Sequence, residues 1–436
     1  MRSFVALLLV FSILLLWNLM DRDPVVGVND GDANVYGDFG DPIPGLSTTQ
    51  RNIFESGRAV FRRRFTREDG LGPHFNATSC MSCHEDPAEG GSSQRYRDFF
   101  IAGNEMPDNT MAKLYPDCTL ANAATHETEL CLPSVVIPHY GPKGTSTDPV
   151  AAEVEHPRIP ENTDIVARRN APPLFGIGLF RSTLISDAEI LSRADPLDLD
   201  GDGISGRVNR IANEDDAIGR FGYKCQTASI EAFNRGALHN QMGITSDSTD
   251  FLIIGDASGR NFLDELLGTP TAHAQAATPR DRIRDFDGAF DPEIGRVSLL
   301  NLIFFQENLA APRRGPQTRA VLRGEQVFEN IGCAKCHVPT LTTSIGNIHP
   351  YTDLLLHDMG PELADGVVMS LATGSEFRTQ PLWGLCQHEP FLHDGSADTI
   401  EEAILLHGGE AEDSRNAYIE LEPRDLSDLH RFLESL

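Results

Sequence analysis

Two five-residue stretches, CMSCH at residues 80–84 and CAKCH at residues 333–337, decide how this chain is organised. Both follow the pattern Cys-x-x-Cys-His. Cysteines three positions apart lie about one helical turn from each other, so both thiols can bond to the two vinyl groups of one porphyrin. The histidine that follows can present a neutral imidazole nitrogen to iron. The pattern is therefore the attachment signature of a c-type haem.

The two copies together exclude the simpler interpretations of the pattern. A single Cys-x-x-Cys pair also occurs in zinc knuckles and redox dithiols. Two copies, each with the adjacent histidine, favour haem over both alternatives. We therefore predict two covalently bound c-type haems. The predicted thioether cysteines and proximal iron ligands are Cys80, Cys83 and His84 for the first haem, and Cys333, Cys336 and His337 for the second.

Length and charge limit the partners of the chain. The 436 residues, 40% of them hydrophobic, are enough for two or three packed domains. The formal net charge is -28, which repels nucleic-acid phosphates and attracts a basic protein partner. Small electron-donor proteins of the cytochrome c or cupredoxin type fit this charge.

The beginning of the chain predicts export. Residues 1–20 contain a short positive start and an apolar run, which is typical of a signal peptide. No small-residue cleavage site follows, so a membrane anchor through residues 4–20 remains an alternative. Either interpretation places the protein in the periplasm, where c-type haem is attached. Residues 21–50 are rich in Asp, Gly and Pro and are expected to form an acidic, solvated linker.

Four cysteines lie outside the two haem motifs. An even remainder in an exported protein indicates disulfides. Cys118 and Cys131 could close a short loop, which leaves Cys225 with Cys386 by subtraction. Free buried thiols are the alternative.

An internal repeat sets the predicted domains. Gly57-x-x-Val60-Phe61 precedes the first motif and Gly324-x-x-Val327-Phe328 precedes the second. We therefore predict a mainly α fold with loop-rich segments, made of two cytochrome c-like haem domains. The first covers residues 51–316 and carries large insertions, and the second covers residues 317–436. Further helices are expected from Ser186, over Ser229–Leu238, Ile294–Leu309 and Thr399–His407, and over Leu426–Leu436.

A third motif consists of aspartates at alternate positions. Asp198, Asp200 and Asp202 precede Gly203, as in the first half of an EF-hand calcium loop. Asn209 stands where that loop has its bidentate glutamate. The segment is predicted to be a calcium site, with a plain acidic turn as the alternative.

The chain resembles the di-haem oxidoreductases, which are relatives of the bacterial di-haem cytochrome c peroxidases and of the MauG-type enzymes. The resemblance spans roughly residues 50–436. It is carried by the two haem motifs and by the segments 168–179, 198–207, 242–245, 351–360 and 391–409. Arg168 and Arg169 open the first of these segments, which is Gly-spaced and of a kind that packs on a flat cofactor, and they are candidate cofactor-binding residues.

The resemblance implies roles for single residues. In the relatives the C-terminal haem is six-coordinate and relays electrons, and the position of its second ligand corresponds to His407. A helix C-terminal cation is the alternative for this residue. The relatives use a glutamate at the peroxide-binding haem, and the nearest carboxylates here are Asp187 and Glu189, for which helix capping is the alternative. We take Glu189 as one candidate for the acid–base role and Gln241 as a second, polar candidate. A tryptophan that bridges the haems in the relatives has no evident counterpart, since Trp383 lies in the second domain.

The resemblance also implies a reaction. We expect a periplasmic oxidoreductase in which electrons pass from the C-terminal haem to the N-terminal haem and reduce peroxide or a related small oxidant. The alternatives are MauG-like oxidation of a protein partner and electron transfer without a substrate.

Overall fold

The structure is a computed structural model. It describes residues 25–27, 33–72, 74–105, 111–113, 136–137, 140, 159, 161, 163–211, 216–246 and 289–436. The predicted leader, Cys118 and Cys131 lie outside these residues. Within the described ranges, no helix combines the length and the apolar character needed to cross a membrane.

Eight α-helices provide most of the regular structure of the described residues. They are α1 (Thr48–Arg62), α2 (Asp187–Leu191), α3 (Ile230–Met242), α4 (Arg296–Glu307), α5 (Arg319–Asn330), α6 (Ile400–Leu406), α7 (Glu412–Ile419) and α8 (Pro423–Leu433). Each haem motif begins with a short 3-10 helix, at Cys80–Ser82 and at Cys333–Lys335.

The strands are short and form small sheets. They are β1 (Val25–Gly27), β2 (Tyr36–Gly37), β3 (Phe99–Glu105), β4 (Met111–Lys113), β5 (Val136–Ile137), β6 (Ile165–Arg169), β7 (Arg210–Ile211), β8 (Ala217–Ile218), β9 (Ala311–Pro312), β10 (Gln317–Thr318), β11 (Leu341–Thr343), β12 (Gly346–Ile348), β13 (Leu356–Asp358) and β14 (Glu376–Arg378). The largest sheet is antiparallel, with β4, β5 and β6 paired to β3.

Two helix crossings repeat one geometry. Helix α1 packs on α4, and α5 packs on α8. Gly57 of α1 and Gly324 of α5 lie at the crossings, where an added Cβ would be 1.9 Å from the carbonyl oxygen of Asn301 or of Asp428. Only glycine allows two helix backbones to approach this closely. The repeat predicted from the glycine spacing therefore has a structural cause in both halves.

Aromatic side chains fill both crossings. Phe61 of α1 contacts Phe305 of α4 at a ring-centroid distance of 5.1 Å, and Phe328 of α5 contacts Phe432 of α8 at 5.2 Å. Phe61 and Phe328 also lie beside the histidines of their own motifs, at 6.2 and 6.3 Å. Each haem motif is thus held against the core of its own helix pair.

A tight turn and the helix after it also occur twice. Phe221 bridges Thr227 before α3, and Phe391 bridges Ala397 before α6, 170 residues further along the chain. Both turns have a positive φ at the residue after the phenylalanine and again three residues later. Helix α3 then begins after the N-cap Ser229, and α6 begins after the N-cap Thr399.

The segment predicted to be a solvated linker is packed in its described part, which corrects that prediction. Strand β1 pairs with β10, and β2 pairs with β9. Val35 and Tyr36 are buried, and the Tyr36 hydroxyl accepts a hydrogen bond from the His349 backbone N–H. The many acidic residues of this segment led to the prediction of a linker, although the segment also contains a short apolar stretch that covers the core.

The helices predicted from the sequence are confirmed, with ends that differ by a few residues. Helix α7 was not predicted. Tyr418 is its one buried residue, so its sequence has no apolar period to reveal it.

Candidate functional site

Two cavities lie beside the two haem motifs. The first is lined by Cys80, Cys83 and His84, and the open and enclosed space within it totals about 1810 Å³. The second is lined by Cys333, Cys336 and His337, and its space totals about 1720 Å³. The structure therefore brings the predicted attachment residues together in two groups, one at each cavity.

His84 is oriented by backbone carbonyls. Its Nδ1 lies 3.1 Å from the Gly91 oxygen and 3.0 Å from the Pro172 oxygen. Burial lowers the pKa of His84, so the imidazole is neutral at neutral pH. A neutral ring that donates from Nδ1 leaves the Nε2 lone pair available as an iron ligand.

His337 and His407 share the second cavity and have the same arrangement. The Nδ1 of His337 lies 3.0 Å from the Tyr351 oxygen, and that of His407 lies 2.7 Å from the Ala403 oxygen. Burial lowers the pKa of His337 to about 4 and also lowers that of His407. Both imidazoles are neutral and have Nε2 available, as a pair of axial iron ligands requires.

The first cavity has no histidine at the place of His407. His407 lies eight positions after the N-cap Thr399, and Ala237 lies eight positions after the N-cap Ser229. Both residues line their cavities. The repeated unit thus has an imidazole at this position in its second copy and a methyl group in its first.

One wall separates the two cavities. Tyr223 and Arg378 line both of them. Burial raises the pKa of the Tyr223 phenol, which stays protonated. Tyr223 also lies edge-on to His393, at a ring-centroid distance of 6.3 Å. Tyr223 is therefore an aromatic residue between the haem positions, where the sequence offered no candidate.

The surroundings of Arg378 indicate whether the cavities fit haem. It is 5% exposed, and no carboxylate of the described residues forms an ion pair with it. Its guanidinium donates to the Arg220 carbonyl and the Gln380 side chain, while Nε has no partner. A buried cation without a counter-charge is costly. A haem propionate would supply the missing anion, so the residues present fit two haems.

The described lining of the first cavity is cationic. It includes Arg97, Arg169, Lys224 and Arg378, and it contains no carboxylate. Arg169 forms a buried ion pair with Asp365. Arg168, the other predicted cofactor-binding residue, points to Asp98 and Asp394 outside the cavity lining. Of the two arginines, the structure brings only Arg169 to a cavity.

The two candidates for the acid–base role lie in different places. Gln241 lines the first cavity, where its Oε1 accepts a hydrogen bond of 2.7 Å from Asn76. Glu189 does not line either cavity. It forms an ion pair with Arg193 and accepts a hydrogen bond from the Thr342 backbone, so it stabilises the surface at α2.

The second cavity is also lined by His357, His388 and His393. His357 is held between Asp353 and Glu410, at 2.8 and 2.7 Å, and these two carboxylates raise its pKa well above the usual value. A protonated imidazole cannot bind iron. His393 stacks on Phe377.

The three aspartates of the predicted calcium loop converge. One carboxylate oxygen from each lies within 4.8 Å of the others. Lys335, inside the second haem motif, forms an ion pair of 3.0 Å with Asp202. Asn209 is buried and donates to the carbonyls of Lys224 and Met369. It therefore does not supply a twelfth-position ligand.

Cys225 and Cys386 do not form a disulfide. Both are free, and Cys225 is buried whereas Cys386 is exposed. This finding excludes the pair obtained by subtraction.

Four of the residues that line the cavities were not identified from the sequence: Tyr223, Asn234, Ala237 and Arg378. A signal was available for two of them, because Ser229-Ile230-Glu231 and Thr399-Ile400-Glu401 have similar sequences. Aligning these caps would have placed Ala237 opposite His407 and Asn234 opposite Ile404.

These features define a class of protein. The chain is mainly helical and contains a structural unit twice, and the histidine of one Cys-x-x-Cys-His motif lines each of the two cavities. The family described as "Di-haem oxidoreductase, putative peroxidase" matches residues 115–436, a range that includes the second motif and begins after the first. The chain belongs to this di-haem oxidoreductase family, which implies two haems. No curated protein sequence matches the chain.

Several solved structures are similar at low identity. The di-haem peroxidase BthA from Burkholderia thailandensis is 17% identical, with 95% of this chain and 92% of that chain covered and a TM-score of 0.40. A MauG-like protein associated with microbial copper homeostasis is 14% identical, with 94% of each chain covered and a TM-score of 0.37. Hydrazine synthase from Kuenenia stuttgartiensis is 15% identical, with 95% and 99% covered and a TM-score of 0.34.

Proposed function

We propose that the protein is a periplasmic peroxidase-type oxidoreductase with two c-type haems in two cytochrome c-like domains. His337 and His407 would hold a haem that accepts electrons from the donor, and His84 would hold the haem to which those electrons pass. There hydrogen peroxide, two electrons and two protons give two molecules of water. The electrons come one at a time from a small basic donor protein, which the net charge of -28 attracts.

The observation that carries this proposal is the difference between Ala237 and His407. Of the neutral histidines that line the second cavity, His337 and His407 each have Nδ1 beside a backbone carbonyl and so have Nε2 available for iron. Two such ligands would suit a haem that only transfers electrons. The first cavity offers His84 and, at the matching position, only the methyl group of Ala237. The iron of a haem bound there would have an open position for breaking the O–O bond of peroxide.

The chain's own residues divide the remaining tasks. His84 and His337 are kept neutral by burial and oriented by carbonyls. Tyr223 and Arg378 form the wall that electrons cross between the two cavities. The cationic lining of the first cavity holds the haem propionates and attracts small anions.

The test is to install the missing ligand. Ala237→His should convert the N-terminal haem from high spin to low spin and abolish peroxide turnover, because the added imidazole would occupy the open position. Ala237→Leu is the matched control, since it adds bulk without a ligand and should leave the haem high spin. A wild-type protein whose two haems are both low spin in every redox state would refute the proposal and leave only electron transfer.

Turnover measurements, rather than spectra, separate the MauG-like alternative. That reaction also needs an open N-terminal haem. In that case the protein would consume peroxide slowly when only the electron donor is present, and readily when a protein substrate is present to be oxidised. Steady-state turnover with a reduced basic cytochrome favours the peroxidase.

Location and calcium complete the proposal. Export by residues 1–20, cleaved or kept as an anchor through residues 4–20, would deliver the chain to the compartment in which haem is attached. A calcium ion at Asp198, Asp200 and Asp202 would hold the acidic loop beside the second haem motif, where Lys335 now pairs with Asp202.

A further inference from the structure

Asn234 places a buried amide donor without a partner in the wall of the first cavity. Asn234 of α3 lines this cavity and is only 6% exposed. Its Nδ2 forms no hydrogen bond. Buried amide groups are almost always hydrogen-bonded, and an exception calls for an explanation. The nitrogen lies in a cavity wall, so a ligand in the cavity can serve as its acceptor.

The register of α3 gives the position of Asn234. It lies one helical turn before Ala237, the residue that matches the iron-binding position of His407. The corresponding residue of α6 is Ile404, which lines the second cavity. The repeated unit thus has an apolar side chain where the axial position is filled and an amide where it is open.

Other polar groups of this cavity differ in position or in their contacts. The Gln241 Oε1 accepts from Asn76, and Lys224 donates to the carbonyls of Thr373 and Glu376. Arg97 and Arg378 also have an Nε without a partner, but neither belongs to α3. The described residues that line the cavity include no carboxylate and no histidine besides His84. Among them, Asn234 is the unpartnered donor that lies one helical turn from Ala237.

We infer that Asn234 is a hydrogen-bond donor to the small ligand bound at the N-terminal haem. This inference rests on the proposed function. An amide does not titrate, so it holds an oxygen atom or a small anion equally well across the neutral pH range. The site then selects small ligands that accept a hydrogen bond.

Fluoride tests the inference, since it binds ferric haem and accepts hydrogen bonds. The experiment titrates fluoride into the ferric holoprotein with both haems and follows the high-spin absorbance. Asn234→Leu should raise the fluoride Kd about tenfold, the value of one hydrogen bond. Asn234→Ser, which keeps a hydroxyl donor, should recover part of the affinity. The C–O stretch of the ferrous carbon monoxide complex should also rise in Asn234→Leu, because a donor to the bound oxygen is lost.

The control is Asn416→Leu on α7, which removes an amide outside both cavities and should leave the fluoride Kd unchanged. An unchanged Kd in Asn234→Leu, or an equal rise in Asn416→Leu, would overturn the inference and leave the open haem intact. If the wild-type protein bound no fluoride, the open position itself would be absent, and the proposed function would fail together with the inference.

Discussion

Gly324→Ala tests whether the two helix crossings are the cores of two separate haem-binding halves. The added methyl group would come 1.9 Å from the Asp428 oxygen and 2.5 Å from its carbonyl carbon. Both are backbone atoms, so α5 and α8 must move apart. Overpacking of this kind costs about 1–3 kcal/mol, and contact with rigid backbone favours the upper end. A loss of about 3 kcal/mol lowers a urea midpoint by roughly 1 M.

The assay follows urea unfolding by circular dichroism and by the absorbance of each haem. In Gly324→Ala the low-spin haem should lose its native spectrum first, whereas Gly57→Ala should affect the high-spin haem first. Gly236→Ala is the matched control, because its added methyl group meets nothing nearer than 3.9 Å and alanine favours helix. Equal loss of both haem signals in Gly324→Ala would contradict the division into two halves.

Three further predictions concern single side chains. His407→Ala should convert the low-spin haem to high spin, which the electronic and EPR spectra would show. His393→Gln should leave the spin state unchanged. An unaltered spectrum in His407→Ala would reject the assignment of His407 as an iron ligand. Asp200→Ala should lower the calcium content measured on purified protein, and equal metal content would reject the calcium site. Burial lowers the pKa of His74 to about 4, so between pH 6.5 and 4 the unfolded chain binds a proton that the folded chain does not. His74 alone should therefore lower stability by up to about 1.4 kcal/mol for each unit that the pH falls within this window. His74→Gln should remove that contribution from the curve measured by urea unfolding.

The part of the architecture that could be predicted is the part that chemistry restricts to few residues. A helix crossing as close as the one at Gly57 requires glycine, and haem attachment requires its cysteines. Both copies of the repeat therefore have identical residues at these positions. The turn before α3 and α6 is different, because Cys225 and Leu392 adopt positive φ without being glycine. Backbone geometry was retained there while the residues diverged, and the correspondence of Ala237 with His407 stayed hidden.

Charge was also hard to predict from the sequence. A net charge of -28 gives no sign that the first cavity is lined by cations, because the net charge does not say which residues line a cavity. Arg378 is 42 residues from the nearest haem cysteine, Cys336, and only folding brings it to the wall of both cavities.

The position of Arg378 has a consequence for the redox potentials. Among the described residues, it is the one arginine or lysine that lines both cavities, so a carboxylate of either haem could pair with it. Whichever haem pairs with it reduces its electrostatic effect on the other, which then depends on the cations of its own cavity. The potential measured for one haem should therefore depend on whether the other haem is present.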